Sequence, residues 1–202
     1  METSTCPGAP KLDPRVRRTK KLLEDAFRSL LNERPYSEIS VGDVTERATV
    51  NRATFYAHYE DKRHLASAML KGDLESTLCS RLTHGIPAGA DSLGVIAEAI
   101  FEFMGRVPGE CPKHADQLAP TFMTTLQETI QAFLTRWLEN DREALTVFPA
   151  AGRGPNARET VATVLAWSLF GAALRWSHQP RRPPAAQASR EVVALLICRP
   201  TK

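Results

Sequence analysis

Apolar residues recur three and four positions apart along most of this 202-residue chain, and groups of proline and glycine separate the periodic stretches. No strand candidate of any strength and no internal repeat appears. The pattern therefore predicts an all-α fold, with a head of three short helices followed by a helical body of about five or six.

The head is predicted to begin at Asp13, a capping carboxylate, with Pro14 at the first helical position. The apolar stripe of this first helix ends near Glu33, because Pro35 cannot continue a helix. We expect this helix to pack across two shorter ones that follow it.

Residues 40–62, SVGDVTERATVNRATFYAHYEDK, predict two short helices joined by a tight turn. Ser40 and Asn51 are the expected N-caps, and Phe55 and Tyr59 fall on the buried side of the second helix. Its outward side carries Arg52, Thr54, Tyr56 and His58. Such a pair suits a helix-turn-helix, whose second helix enters the DNA major groove by its N-terminal end; a plain surface hairpin is the alternative.

The body is predicted to contain helices over about 60–82, 91–107, 121–140, 161–174 and 192–200. The stretch 161–174 is apolar nearly all the way round, which indicates burial on more than one side. Small residues at 171–173 would allow a close approach, so the last two helices suggest a symmetric two-fold interface built as a four-helix bundle. The expected interface residues are Leu165, Leu169, Ala172, Ala173, Trp176, Val193, Leu196 and Ile197.

Three segments follow from this organisation. Residues 1–12 hold prolines and a glycine without periodicity, so we expect a disordered tail. Residues 13–60 are expected to form a helix-turn-helix DNA-binding domain. Residues 61–202 are expected to form a helical domain that dimerises.

Charge is concentrated just before the predicted motif. The whole chain has a net charge of only +3, but residues 11–21 hold six basic residues against one acid, a local charge of +5. This cluster includes Arg17 and Arg18. Basic side chains there would neutralise DNA phosphates, although an isolated cluster of this kind more often forms a solvated helix face.

The cysteines and the apolar runs bear on location. Four cysteines lie far apart without a CxxC pair, so we expect reduced thiols and neither a disulfide framework nor a zinc ribbon. The N-terminus lacks the pattern of an export signal, and no apolar run reaches the ~18 residues that span a bilayer. A soluble, cytoplasmic protein is expected.

The stretch DVTERATVNRATFYAHYEDKRHL, within residues 15–70, resembles the DNA-binding head of the tetracycline-repressor (TetR) family of bacterial regulators. In that family, a pattern like D-I-A-x-x-A-G-V-S-x-x-T-F-Y-x-H-F-x-x-K-x-x-L recurs. The resemblance implies a homodimeric, all-helical bacterial transcription factor, usually a repressor, whose C-terminal domain, here the helical effector-binding and dimerisation domain over residues 61–202, binds a small molecule. It covers about a quarter of the chain closely.

The resemblance also implies roles for individual residues. Ser40 would lie on a phosphate at the start of the second helix. Tyr56, His58 and Lys62 would lie near the DNA backbone, although Tyr56 is otherwise a partly buried aromatic residue and His58 a structural histidine. The residues expected to face major-groove bases are Asn51, Arg52, Ala53 and Thr54. Arginine suits guanine O6 and N7, and threonine suits a thymine methyl group or a phosphate.

One residue departs from the family pattern. Thr49 stands where the family usually has glycine in the turn. A β-branched residue is strained at positive φ, at a cost of about 1–3 kcal/mol. We therefore expect a relaxed, more helical turn that tilts the recognition helix slightly.

The body carries apolar and aromatic residues that as a set favour a pocket for a mainly apolar or aromatic effector, although each residue taken singly is better explained as ordinary core. The pocket residues expected are Phe101, Met104, Phe122, Met123, Leu126, Phe133, Trp137, Trp167 and Phe170. Ligand would favour a dimer whose heads are wrongly spaced for the operator.

Other functions find less support. The sequence lacks the GxSxG, HExxH, P-loop and GxGxxG motifs of common enzyme classes, so no enzyme and no cofactor are expected. Cys111 and His114, with Cys79 and His84, are too loosely spaced to predict a metal site, which leaves metal or thiol sensing as a minor alternative. The main alternative is a DNA-binding regulator without an effector, and activation remains open beside repression. Expected partners are double-stranded operator DNA, a second copy of the chain and the effector, with no membrane.

Overall fold

The computed structural model describes residues 13–82, 89–110, 115–140, 147–148 and 156–197, so the predicted tail over 1–12 lies outside it. These residues contain eight α-helices and no strand, which confirms the all-α fold. In order the helices are α1 (Pro14–Glu33), α2 (Val41–Arg47), α3 (Arg52–Tyr56), α4 (Lys62–Leu82), α5 (Ala90–Glu110), α6 (Ala115–Asn140), α7 (Ala157–Ser177) and α8 (Ala185–Leu196).

Three predicted N-caps of the head are confirmed. The Asp13 carboxylate accepts from the Arg15 amide at 2.7 Å, and Pro14 is the first residue of α1. Ser40 begins α2 with a capping box, and Asn51 caps α3. Because each cap satisfies amides that a short helix leaves free, the sequence fixes where these helices begin.

The head has its own hydrophobic core. Phe27 of α1 packs edge-on against Tyr36, and Phe55 of α3 packs against Tyr59, with all four rings buried. The Tyr59 hydroxyl donates to the Glu24 carboxylate at 2.8 Å, which links the segment after α3 to α1. Burial is the main cause that raises the pKa of Tyr59.

Two ion pairs fasten α1 to α2. Glu33 accepts from both terminal nitrogens of Arg47, at 2.6 and 2.8 Å. Arg34 lies 3.1 Å from the Asp43 carboxylate. The bidentate pair fixes an orientation as well as a distance, so α2 is held at both of its ends.

The body core is formed mainly by α5, which packs against α7 and α8. Phe101 of α5 contacts the ring of Trp176 on α7, and the Trp176 indole donates to the Pro183 carbonyl at 2.9 Å. The Arg182 guanidinium lies over the same ring and donates to the Gly105 carbonyl. The connector between α7 and α8 is thereby fixed onto the body.

The chain forms two compact units, Met1–Gly72 with Cys111–Phe122, and Asp73–Glu110 with Met123–Lys202. The predicted domain boundary between residues 60 and 61 stays a prediction. Several predicted helix ends are wrong: α5 continues past Pro108 to Glu110, α6 begins at Ala115 rather than at 121, and α8 begins at Ala185 rather than at 192. Only two residues of α5 follow Pro108, so the hydrogen bond that proline cannot make affects the last turn alone.

Candidate nucleic-acid interface

Helix α3 presents its N-terminal end on the surface of the head. The Asn51 side chain accepts from the Thr54 amide at 2.7 Å and from the Thr54 hydroxyl at 2.8 Å. Asn51, Arg52 and Ala53 are exposed, and Thr54 is half-buried. The residues predicted to face bases therefore lie together, with the Thr54 hydroxyl already engaged in the cap.

Ser40 is engaged in a comparable way at the start of α2. Its hydroxyl donates to the Asp43 carboxylate at 2.7 Å and accepts from the Asp43 amide at 3.2 Å, while its own amide donates to the same carboxylate. The Ser40 hydroxyl and amide, with Arg34, lower the pKa of Asp43 to about 2. A phosphate at Ser40 would thus meet a hydroxyl whose hydrogen is committed to Asp43.

Lys62, predicted to lie near the DNA backbone, points into the head. Its ammonium donates to the carbonyls of Tyr36 at 2.9 Å and Ile39 at 2.7 Å. It also lies 4.2 Å from the centre of the Tyr36 ring. Burial lowers the pKa of Lys62. Lys62 therefore braces the chain before α2, and its contact with a phosphate stays a prediction.

The expected relaxed turn at Thr49 is wrong, because Thr49 has a φ of 56°. The Val50 amide donates to the Thr45 carbonyl, and the Thr49 amide donates to the Glu46 carbonyl. These two hydrogen bonds form a Schellman motif, which requires a left-handed residue just beyond the helix end. The closure of α2 therefore imposes positive φ on a β-branched residue.

The other predicted DNA-binding residues also lie on the surface of the head. Arg17 and Arg18 are exposed on α1. Tyr56 has 58% of its surface exposed and packs edge-on against Phe55. His58 is half-buried just after α3. Their contact with DNA stays a prediction, but none is removed from solvent.

The comparisons agree with this geometry. Residues 23–69 match the family model described as "Bacterial regulatory proteins, tetR family". The head of this chain therefore resembles the DNA-binding domain of the TetR family. The matched residues comprise the second half of α1, both helices of the helix-turn-helix and the start of α4.

Two curated relatives resemble part of this chain. The HTH-type transcriptional regulator YxbF of Bacillus subtilis is 39% identical over 62 residues, which are 30% of this chain and 16% of YxbF. DhaS of Lactococcus lactis, a transcriptional activator of the dhaKLM operon, is 33% identical over 55 residues, 27% of this chain and 29% of DhaS. The chain thus matches less than a third of the length of either relative.

A solved structure resembles the fold over nearly the whole chain. It is the TetR-family repressor AlkX of Dietzia sp. strain DQ12-45-1b, implicated in the biodegradation of n-alkanes. The two share 18% identity at a TM-score of 0.56, over 93% of this chain and 96% of AlkX. At this identity the likeness concerns the fold alone.

In the body, the predicted pocket residues fall into three groups. Phe122 and Met123 are half-buried, and Phe122 packs against the head core. Trp167 has 58% of its surface exposed, so its assignment as a pocket residue is corrected. The rest are buried: Phe101, Met104, Leu126, Phe133, Trp137 and Phe170. Whether they enclose a ligand stays a prediction.

A polar chain crosses this apolar body and was missed by the sequence pattern. Gln127 donates to Gln131 at 3.0 Å, and Gln131 donates to Thr163 of α7 at 3.2 Å. Gln127 is buried, although periodicity places it off the apolar side of its helix. Nothing in the sequence around Gln127 predicts its burial, because the burial results from packing against other parts of the fold.

The predicted dimer residues need a similar correction. Leu165, Leu169, Ala173, Trp176 and Val193 are covered by their own chain and present no free surface to a second copy. Ala172, Leu196 and Ile197 are half-buried. The apolar surface that α7 and α8 leave exposed instead consists of Val164, Trp167 and Leu195.

The remaining expectations concern cysteines, metals and membranes. Cys79 is disulfide-bonded, which contradicts the expectation of reduced thiols at this position. His84, Cys111 and His114 lie outside the described residues, and the described part contains no group of three potential metal ligands. None of its helices combines the length and apolar character needed to cross a membrane.

Proposed function

We propose that the chain is a TetR-family transcriptional regulator, a dimeric repressor that binds a palindromic operator through α3 and is released by a small, mainly apolar or aromatic effector. The observation that carries the proposal is the exposed N-terminal end of α3. There, Arg52 is exposed and makes no ion pair within the described residues, whereas Arg34 and Arg47 nearby are paired with Asp43 and Glu33.

DNA binding would divide between two kinds of contact. Arg52 would read a base edge, since a guanidinium bonds guanine O6 and N7 together. Arg17, Arg18 and Tyr56 would bind phosphates and position the head, which carries no sequence information by itself. This division predicts that substitutions of Arg17, Arg18 or Tyr56 weaken binding to all DNA sequences alike.

The exposed apolar face of α7 and α8 supports dimerisation. Val164, Trp167 and Leu195 have 54%, 58% and 79% of their surfaces exposed, and they belong to the two terminal helices. A second copy would cover this face symmetrically. Two recognition helices would then reach half-sites about one duplex turn apart.

The aromatic body core supports an apolar or aromatic effector. Phe101, Phe133 and Trp137 are buried there, and the chain from Gln127 to Thr163 offers polar groups that would orient a ligand. The repressor AlkX, which shares the fold, is implicated in n-alkane biodegradation. Effector binding would favour a dimer with lower operator affinity.

The alternative is a DNA-binding regulator without an effector, or an activator. DhaS, a transcriptional activator, is 33% identical to part of this chain over 55 residues, which favours activation as the second candidate. In both cases we propose a non-enzymatic, cytoplasmic bacterial protein that binds the nucleoid.

Selection of bound duplexes from a random pool at stated salt tests the proposal. We expect two inverted half-sites. Titration of the selected duplex complex with apolar ligands, followed by fluorescence anisotropy, then tests release. Ligand binding without a change in DNA affinity would remove the effector from the mechanism and leave the alternative.

A further inference from the structure

Gly42, in the first turn of α2, faces the guanidinium of Arg52 on α3. A methyl group placed on Gly42 would lie 2.8 Å from Nη2 of Arg52, 3.7 Å from its Cζ and 3.3 Å from the Ser40 hydroxyl oxygen. A carbon atom does not approach a nitrogen to 2.8 Å without displacing it. The guanidinium therefore occupies space that only glycine leaves open at position 42.

The other arginines beside α2 are held by acids. Arg47 forms its bidentate pair with Glu33, and Arg34 pairs with Asp43. No described hydrogen bond or ion pair restrains Arg52, so its position depends on packing against the first turn of α2. Its nitrogen donors stay available for an external acceptor.

We infer that Gly42 positions Arg52 and thereby determines which base pair of the half-site Arg52 reads. The inference rests on the proposed function, because it requires that α3 contacts bases. Gly42 itself is a positioning residue and need not touch DNA. An alanine at position 42 would move the guanidinium away from α2, and a shifted planar fork no longer matches two acceptors of one guanine.

The geometry separates this effect from a folding defect. The atom that must move in Gly42→Ala is the far end of a flexible side chain, so the protein should remain folded. Gly72 of α4 provides a matched control, because a methyl group there meets nothing within 4 Å. Both changes add one methyl group to a helical glycine, but only one of them displaces an arginine.

The test uses the full chain and a duplex selected by the wild type. Competition with duplexes that carry each single base-pair change gives the preference at every position of the half-site. The proteins compared are the wild type, Gly42→Ala, Arg52→Ala, the double variant and Gly72→Ala. Circular dichroism checks that each is folded.

We expect Gly42→Ala and Arg52→Ala to lose preference at the same base pair, by about tenfold, within the range typical of one bidentate contact. The double variant should lose no more than Arg52→Ala, and Gly72→Ala should match the wild type. An unchanged preference in Gly42→Ala, or an equal further loss in the Arg52→Ala background, would overturn the inference.

Two other results are also decisive. If Gly42→Ala fails to fold, the inference requires that the double variant folds, because the displaced guanidinium is then absent. Failure of both would overturn the inference, because the methyl group would then act on the Ser40 hydroxyl, 3.3 Å away, rather than on Arg52. If the wild type selects no sequence from the pool, the proposed function itself fails, which distinguishes that outcome from a failure of the Gly42 inference alone.

Discussion

The ammonium of Lys62 donates to the carbonyl oxygen of Ile39 at 2.7 Å, across 23 positions of the sequence. Ile39 immediately precedes Ser40, the N-cap of α2. The first residue of α4 therefore holds the segment that leads into the helix-turn-helix. The sequence predicts that Lys62 lies near the DNA backbone, whereas in the structure its ammonium is hydrogen-bonded within the head.

Replacement of Lys62 by methionine should lower the free energy of unfolding by about 1.5–3 kcal/mol, because two carbonyls lose a charged donor. Lys71→Met, at an exposed position of the same helix, should change it by less than about 0.5 kcal/mol. Urea denaturation measures both. If Lys62 also binds a phosphate, the salt dependence of DNA affinity should fall by about one counterion; an unchanged slope assigns Lys62 to the fold alone.

Thr49→Gly should stabilise the protein, because glycine adopts a φ of 56° without a steric penalty. The left-handed conformation costs about 1–2 kcal/mol, and the extra freedom of unfolded glycine offsets about 0.4–1 kcal/mol of that. We expect a net gain of about 0.5–1 kcal/mol. Thr49→Val keeps the branch and should gain nothing. If the Thr49→Gly protein is less stable than the wild type, the claim that Thr49 is strained would be wrong.

Protonation of Asp43 in acid should weaken the capping box of α2. The pKa of Asp43 is lowered from 3.8 to about 2, chiefly by hydrogen bonds from Ser40. A carboxyl group whose pKa is lower in the folded state than in the unfolded state stabilises the protein when the pH is above its unfolded-state pKa. This contribution to stability is lost as the pH falls toward the folded-state pKa. The wild type should therefore lose stability between about pH 4 and pH 2 more steeply than Asp43→Asn. Equal slopes in pH-dependent denaturation would show that the cap does not titrate.

Trp167→Glu should convert the proposed dimer to a monomer, because it places a charge on the exposed apolar surface of α7. Leu22→Glu is the matched control, since Leu22 is an exposed apolar residue of α1 in the head. Sedimentation velocity should show twice the chain mass for the wild type and the control. A dimeric Trp167→Glu protein would place the interface elsewhere.

Local chemistry made the head largely predictable. The caps at Asp13, Ser40 and Asn51 act within three residues, so their spacing is visible in the sequence. The sequence marks Thr49 as unusual in the turn, but its φ depends on how the C-terminal end of α2 closes. The low preference of threonine for positive φ does not predict that the Schellman hydrogen bonds outweigh the strain on Thr49.

The body was less predictable because α7 is apolar on every side. Periodicity assigns no outward face to such a helix, so Leu165 and Trp167 were interchangeable by pattern, yet one is buried and the other exposed. The contacts of Lys62 and Arg52 are likewise made by long side chains reaching residues distant in sequence. Such contacts follow from the packing of the helices and have no local signal.

The central claim, that α3 reads a specific DNA sequence, is tested most directly by comparing two affinities of the full chain. One is for the selected duplex, and the other is for the same duplex with both half-sites scrambled, at about 150 mM salt. The account predicts that the selected duplex binds at least about 1,000-fold more tightly. Equal affinity for the two duplexes would contradict it.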